Sequence, residues 1–143
     1  LLDQITDPQN IGSIIRSAFA FNFDVVGLLK HNSPSELSSL IKASSGEIEK
    51  ITLIELKNLV NDIKLLQENG YFVYGLTNEG KRNINKIFNT DQKFALVVGS
   101  EGKGLRKLTT KTVDDTIHIP INNHCNSINA SNAAAIAFYQ LSK

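Results

Sequence analysis

Residues 115–121 read Asp-Thr-Ile-His-Ile-Pro-Ile, residues 122–132 read Asn-Asn-His-Cys-Asn-Ser-Ile-Asn-Ala-Ser-Asn, and residues 133–141 read Ala-Ala-Ala-Ile-Ala-Phe-Tyr-Gln-Leu. In the first block Ile117, Ile119 and Ile121 alternate, which predicts a strand with one buried face. Pro120 has no amide to donate and should end the regular pairing. From about Ser131 onward the small residues Ala133 to Ala137 favour helix, and Ile136, Phe138, Tyr139 and Leu141 supply bulk. Between the two lie eight polar residues in eleven. Asn and Ser oxygens cap the free amides of a helix start, so the loop is suited to end in one. Strand, polar loop and small-residue helix together make a candidate ligand cradle.

Working outward, the 143 residues suffice for one domain with a real core. Fifteen basic and fourteen acidic residues leave a net charge of +1, so any nucleic-acid contact must come from local patches. The single cysteine, Cys125, allows no internal disulfide and no cysteine cluster for zinc, which fits a reducing cytoplasm. No apolar run approaches the length that spans a bilayer, and no signal peptide is visible. The chain opens on Leu1-Leu2-Asp3 without Met, as expected of a piece of a longer protein.

The rest of the chain alternates strands and helices. Leu1 to Asp3 reads as a short buried strand, and Asp7-Pro8-Gln9-Asn10 as turn chemistry. Apolar residues at 11, 14, 15, 18 and 19 then give helical spacing, with Arg16 off the stripe and near the helix start. Val25 to Leu29 is a buried strand, Ser35 to Ala43 a second helix, and Ile51 to Ile54 a short strand. Leu56, Leu59, Val60, Ile63 and Leu66 mark an amphipathic helix that stops at Asn69-Gly70. Tyr71 to Leu76 is a strand followed by a polar loop from Thr77 to Asn83, Phe94 to Val98 the strongest buried strand, and Leu105 to Lys111 a short helix. This order predicts a single α/β domain with a mostly parallel sheet covered on both faces.

Ligands of such sheets bind beyond the carboxyl ends of the strands. Three polar segments sit there: Asp7 to Gly12, Gly99 to Gly104, and Asn122 to Asn132. The glycine segment has the order G-x-x-G-x-G, which fits neither the phosphate-cradling loop nor the dinucleotide fingerprint. By itself it is as readily a plain turn between strand and helix. His124 and Cys125 are adjacent and have no carboxylate close in sequence, which is poor geometry for a thiol enzyme. Three scattered histidines and one cysteine predict no metal site. Arg16, beside a Pro-Gln-Asn-x-Gly segment, could clamp a phosphate bidentately or be a solvated helix arginine. Lys81, Arg82 and Lys86 form one basic loop, and Lys103, Arg106 and Lys107 another; each is either an RNA contact or ordinary surface charge.

Taken together and in order, the three segments resemble the SpoU-type (TrmH-like) family of RNA ribose 2′-O-methyltransferases. The first motif is Asp3 to Ala18, with Asp7-Pro8-x-Asn10-x-Gly12 and Arg16. The second is Leu96-Val97-Val98-Gly99-Ser100-Glu101-Gly102-x-Gly104-Leu105. The third is Ile117-x-Ile119-Pro120, then Ser127-Ile128-Asn129-x-Ser131, then Ala133-Ala134. The match covers essentially the whole chain. The stretch Lys42 to Glu49 also looks like the bacterial 23S rRNA guanosine methyltransferase branch. The chain departs from the family's usual residues at Ile121 (Met), Asn123 (Gly), Ile128 (Leu), Ala130 (Val) and Asn132 (apolar).

The resemblance implies a SPOUT-type α/β fold with a C-terminal trefoil knot, and residues 1–143 as the methyltransferase domain without the N-terminal RNA-binding domain of full-length relatives. It implies S-adenosylmethionine bound in bent form, held near Thr77, Gly99, Ile119, Ile121, Ser127 and Ile128. It implies catalytic roles for Arg16, Asn10, Glu101, Ser127 and Asn129, and no metal. It also implies a cytoplasmic homodimer whose site borrows from both subunits. The expected substrate is structured RNA, a guanosine of 23S rRNA first and tRNA second. The competing expectation is an RNA-binding protein of this fold that has lost catalysis.

Overall fold

The computed structural model describes residues 1–29, 50–87 and 92–142. The helix read at Ser35 to Ala43 and the stretch Lys42 to Glu49 lie outside the described residues. A five-stranded sheet carries the molecule. Its strands are β1 (Leu2–Asp3), β4 (Phe72–Leu76), β5 (Arg82–Asn83), β6 (Phe94–Gly99) and β7 (Asp115–His118), in the spatial order β1-β6-β4-β7-β5. Every pairing in it is parallel. The strands β2 (Val25–Leu29) and β3 (Thr52–Leu56) pair with each other, again in parallel, as a separate ribbon. That placement explains why Val25, read as a buried residue, is exposed at the ribbon's start.

Four helices are described: α1 (Pro8–Ala20), α2 (Leu59–Glu68), α3 (Lys107–Thr112) and α4 (Ala130–Leu141). Two apolar clusters form the core. The larger joins α1 and α4 to the sheet through Ile11, Ile14, Ile15, Val98, Ile117, Ala134 and Phe138. The smaller seats α2 through Leu59 and Ile63 on Val73 and Val97 of the sheet. Helices therefore cover both faces, as two-sided strand hydrophobicity requires.

Three sequence readings shift. The Asp7 to Asn10 turn is the opening of α1: Asp7 accepts from the amides of Gln9 and Asn10 at 3.2 and 3.3 Å, and Pro8 occupies the first helical position. Asn10 and Gly12 are thus helical, and Arg16 sits past the helix midpoint rather than near its start. The strand expected to run to Ile121 ends at His118, ahead of Pro120. The polar loop after β4 holds a further two-residue strand, β5, which pairs with β7.

Candidate functional site

The carboxyl ends of β4, β6 and β7 point the same way because the sheet is parallel, and their following loops meet there. They enclose a cavity of about 500 Å³. Its apolar side comes from Leu76, Val98, Ile119, Ile128 and Ala133, and its polar rim includes Thr77, Glu101 and Ser127. All six residues read as cofactor-holding, Thr77, Gly99, Ile119, Ile121, Ser127 and Ile128, line this one cavity. Asn78, Glu79, Thr110 and Thr116 line it too and were not singled out, as does Lys103, which was read only as part of a basic loop. For Asn78 and Glu79 a signal existed, since they open the polar loop that leaves β4.

The cavity walls owe their shape to backbone crossings. A Cβ on Gly99 would lie 2.2 Å from the carbonyl carbon of Gly104 and 2.5 Å from the amide nitrogen of Leu105. The glycine loop folds back on its own origin, so Gly99 makes room for protein backbone, not only for a ligand. Within the loop, the Gly104 amide donates to the Ser100 carbonyl at 2.8 Å and closes the turn. A Cβ on Gly80 would lie 2.2 Å from the Ile117 carbonyl carbon, a second crossing that sequence reading did not mark. His118 fastens it, its Nδ1 lying 2.7 Å from the Gly80 carbonyl oxygen, and the Lys81 amide donates to Thr116 Oγ1 at 3.1 Å. Across the rim, Asn78 donates to the Asn126 carbonyl at 3.0 Å and joins the loops after β4 and β7.

Beside the cavity, Asn129 ties the three motif segments together. Its amide nitrogen donates to Asn10 Oδ1 at 3.0 Å and to Glu101 Oε2 at 3.2 Å. Its carbonyl oxygen accepts from the Ser131 amide at 2.9 Å and from Ser131 Oγ at 2.6 Å, capping α4. Both ends of the amide are engaged inside the chain, which makes Asn129 a positioning residue. Asn10 likewise faces Asn129. Ser127 stands on the cavity wall next to this cluster.

Arg16 stands apart from it. Six residues separate Arg16 from Asn10 along α1, which is about 240° of helix rotation and about 9 Å of rise. The two side chains leave different sides of the helix, and Arg16 is on the exposed side.

Several surface readings change. Arg106 is not a free cation of the glycine loop: its Nε lies 2.6 Å from Oδ1 of the buried Asp3. Arg82 pairs with Asp115 at 3.0 Å. Lys81, Lys86, Lys103 and Lys107 are exposed. Among the described non-glycine residues only Gln4 and Asn22 have positive φ, so Asn123 carries no strain where the family commonly has Gly. Asn132 is exposed in the first turn of α4 and buries no polar group. His124 and Cys125 are exposed, with the Cys125 thiol donating to the Ser127 carbonyl at 3.2 Å. Among the described residues no group of three or more His, Cys, Asp and Glu could hold a metal, and no helix is long and apolar enough to cross a membrane.

The model of the SpoU rRNA methylase family matches residues 1–139. The chain belongs to the SpoU rRNA methylase family. A TrmH-family protein of Staphylococcus saprophyticus is 36% identical over 141 residues, 99% of this chain and 56% of the relative. The structure of a TrmH-family protein from Porphyromonas gingivalis superposes with a TM-score of 0.84 at 29% identity, covering 97% of this chain and 56% of that one. The SpoU methyltransferase AviRb from Streptomyces viridochromogenes, crystallised with AdoMet, superposes with a TM-score of 0.84 at 26% identity, with the same coverage. The SpoU domain described here has the SPOUT α/β architecture. The chain spans about half the length of such relatives.

Proposed function

We propose that this SpoU domain transfers a methyl group from S-adenosylmethionine to a ribose 2′-hydroxyl of structured RNA, a guanosine of 23S rRNA before a tRNA nucleotide. The observation that supports it most is the convergence of three separate motifs. Six residues from the end of β6 and the loops after β4 and β7 share one cavity, and Asn129 bonds to Asn10 and Glu101 at its edge. Curated relatives described as tRNA/rRNA methyltransferases and a solved relative holding AdoMet support the same reading. The cavity also fits the group. Its volume lies within the ordinary range for ligand sites, and it pairs an aliphatic wall for an adenine ring with polar groups for an amino-acid tail.

S-adenosylmethionine supplies, when bound, a methyl group on a positively charged sulfur. The chain must then supply position and electrostatics. A 2′-hydroxyl is a poor nucleophile: negative charge grows on its oxygen as its proton passes to solvent water, and that charge would be consumed when the oxygen takes the methyl group and the sulfur is left as a neutral thioether. A free guanidinium is too weak a base to remove the proton. Arg16 acts instead by stabilising the forming alkoxide, and its fork also holds the adjoining phosphate. Glu101, Asn10 and Ser127 hold the ribose side, with Asn129 fixing Asn10 and Glu101 to the start of α4.

Because Arg16 leaves α1 on a different side from Asn10, the site is completed in a homodimer, by the Arg16 side of a second copy. The neighbouring helix α4 keeps Ile136 and Tyr139 exposed, with Tyr139 edge-on to Phe21 at the end of α1, apolar surface of the kind a second copy covers. Sedimentation at micromolar concentration should give twice the chain mass; a fully active monomer would contradict the shared site.

The test of the reaction is single-turnover methyl transfer, with rRNA and tRNA offered side by side. Arg16→Ala should lose about 10²–10³-fold in rate, the usual cost of removing one donor to a developing oxyanion. Arg16→Lys should lose nearly as much because it keeps charge without the fork. S-adenosylmethionine affinity, read by calorimetry, should stay within a few-fold in both. A near-normal rate for Arg16→Ala would refute the mechanism, and no cofactor binding by the folded wild-type dimer would refute the enzyme reading.

A further inference from the structure

The cavity has a wall whose support lies outside every residue named so far as binding or catalytic. Residues 99–105 all face the cavity, and they connect β6 to α3. At one end this loop is anchored by the β6 ladder. At the other end it has Arg106, the residue that precedes α3 and offers that helix no capping side chain of its own. Arg106 itself is held from the opposite end of the chain. Asp3 Oδ2 accepts from the Arg106 amide at 3.0 Å, while Asp3 Oδ1 accepts from Arg106 Nε at 2.6 Å.

Three features make this contact more than a surface ion pair. The Asp3 side chain is 0% exposed, whereas that of Arg106 is 42% exposed. A carboxylate fully removed from water is tolerated only when its oxygens are bonded, and here both are. Asp3 also sits in register opposite Gly99, on the strand next to the one from which the loop departs. The same residue pair therefore brackets the loop: β1 lies beside its first residue, and the Asp3 carboxylate grips its last. Finally, the loop has no slack to lose. Gly99 is pressed against Gly104, so a shift at Arg106 is passed through Leu105 and Gly104 to the cavity wall.

We propose that Asp3 is a positioning residue for the cofactor, acting through Arg106 to hold the glycine loop in the shape that receives S-adenosylmethionine. The inference rests on the cofactor reading of the cavity. It also gives Arg106 a task other than RNA binding, since the guanidinium that sequence reading placed in a basic patch is turned inward by a buried partner. Asp3 touches neither cofactor nor RNA. Its effect should fall on cofactor affinity rather than on the chemical step.

The experiment compares Asp3→Asn, Arg106→Gln, the double variant and the pocket-filling variant Ile128→Trp in the full chain. Calorimetry with S-adenosylmethionine, filter binding of RNA and steady-state kinetics are read below each variant's melting temperature. Asp3→Asn should weaken cofactor binding about tenfold or more, the scale of a hydrogen bond to a charged group. KM for the cofactor should rise in step, while kcat at saturating cofactor and RNA affinity stay within about threefold. A residue that served only global stability would lower the melting temperature without this split. Asp3→Asn removes the buried charge and should fold even if Arg106→Gln, which leaves the Asp3 carboxylate without its guanidinium, does not; Arg106→Gln, where it folds, should show the same split. The double variant should match the worse single one, because both remove one clamp. Normal cofactor binding by folded Asp3→Asn or Arg106→Gln, with binding lost in Ile128→Trp, would overturn the clamp alone. Undiminished binding in Ile128→Trp would overturn the cavity reading beneath it.

Discussion

The cofactor cavity and the Arg16 side of α1 are built by opposite means. The cavity is closed within one chain. Two glycines let backbone pass within contact of backbone, and cross-loop bonds from Asn78, His118 and Asp3 fix each wall. The Arg16 side is a helix face with the arginine directed outward, and its place in a reaction depends on what is brought to it. The difference fits the division of labour proposed above. Binding a small cofactor in a set shape needs a rigid enclosure, whereas meeting a folded RNA needs an open surface with one well-placed cation. It also predicts how each region fails: the first through loss of shape, the second through loss of chemistry with shape intact.

The strongest test of that contrast is Gly99→Val. The added side chain must displace the Gly104 backbone, which lies 2.2 Å from where its Cβ would stand. Backbone cannot yield as a flexible side chain does, so the glycine loop must open. Cofactor binding should be lost altogether, and the melting temperature should fall by several degrees as well, in keeping with a penalty of a few kcal/mol for a disrupted site. A glycine that only made room for a ligand would instead give a variant that folds normally and merely blocks binding. Calorimetry and thermal melting separate the two outcomes. A Gly99→Val protein with wild-type stability and wild-type cofactor affinity would show that the loop is pliable and the enclosure is not rigid.

What could be read in advance follows the same contrast. The strands and helices were legible because burial leaves a period in the sequence: Ile11, Ile14, Ile15 and Ala18 on α1, and Phe94 to Val98 on β6. The cavity residues were legible because loops after parallel strands gather at one edge, and the ordered motifs marked which loops mattered. The crossings were not legible. Gly80 looks like any turn glycine until Ile117 is found against it, and nothing periodic links positions so far apart. The same holds for Asp3 and Arg106, which are 103 residues apart in sequence. Charge pairing was not legible where the partner was distant: Arg82 meets Asp115 and Arg106 meets Asp3, so one arginine in each of the two basic loops carries its own acid. The departure at Asn123 was visible as a residue type only; that the backbone there needs no left-handed conformation was not.

Asn129 lies on the border between the two regions, and its replacement is the finer test of where one ends. Its amide joins Asn10 on α1 to Glu101 on the glycine loop, and its carbonyl caps α4. Asn129→Ala removes all of this at once. Loss of the cap alone costs about 1 kcal/mol of stability. Loss of the bridge frees Glu101 and Asn10 to move, but it leaves the glycine crossings and the Asp3 clamp in place. Cofactor affinity should therefore fall only a few-fold, while the single-turnover rate falls roughly ten- to a hundredfold, since correct orientation of reacting groups carries that much of a barrier. Asn129→Asp keeps the capping oxygen but replaces the donor with a second anion beside Glu101. It should recover the stability and not the rate. If Asn129→Asp recovers both, the bridge to Asn10 and Glu101 is dispensable and Asn129 is a helix cap alone. If Asn129→Ala loses cofactor binding as completely as Gly99→Val, the border drawn here is wrong, and the motif cluster belongs to the enclosure rather than to the acceptor side.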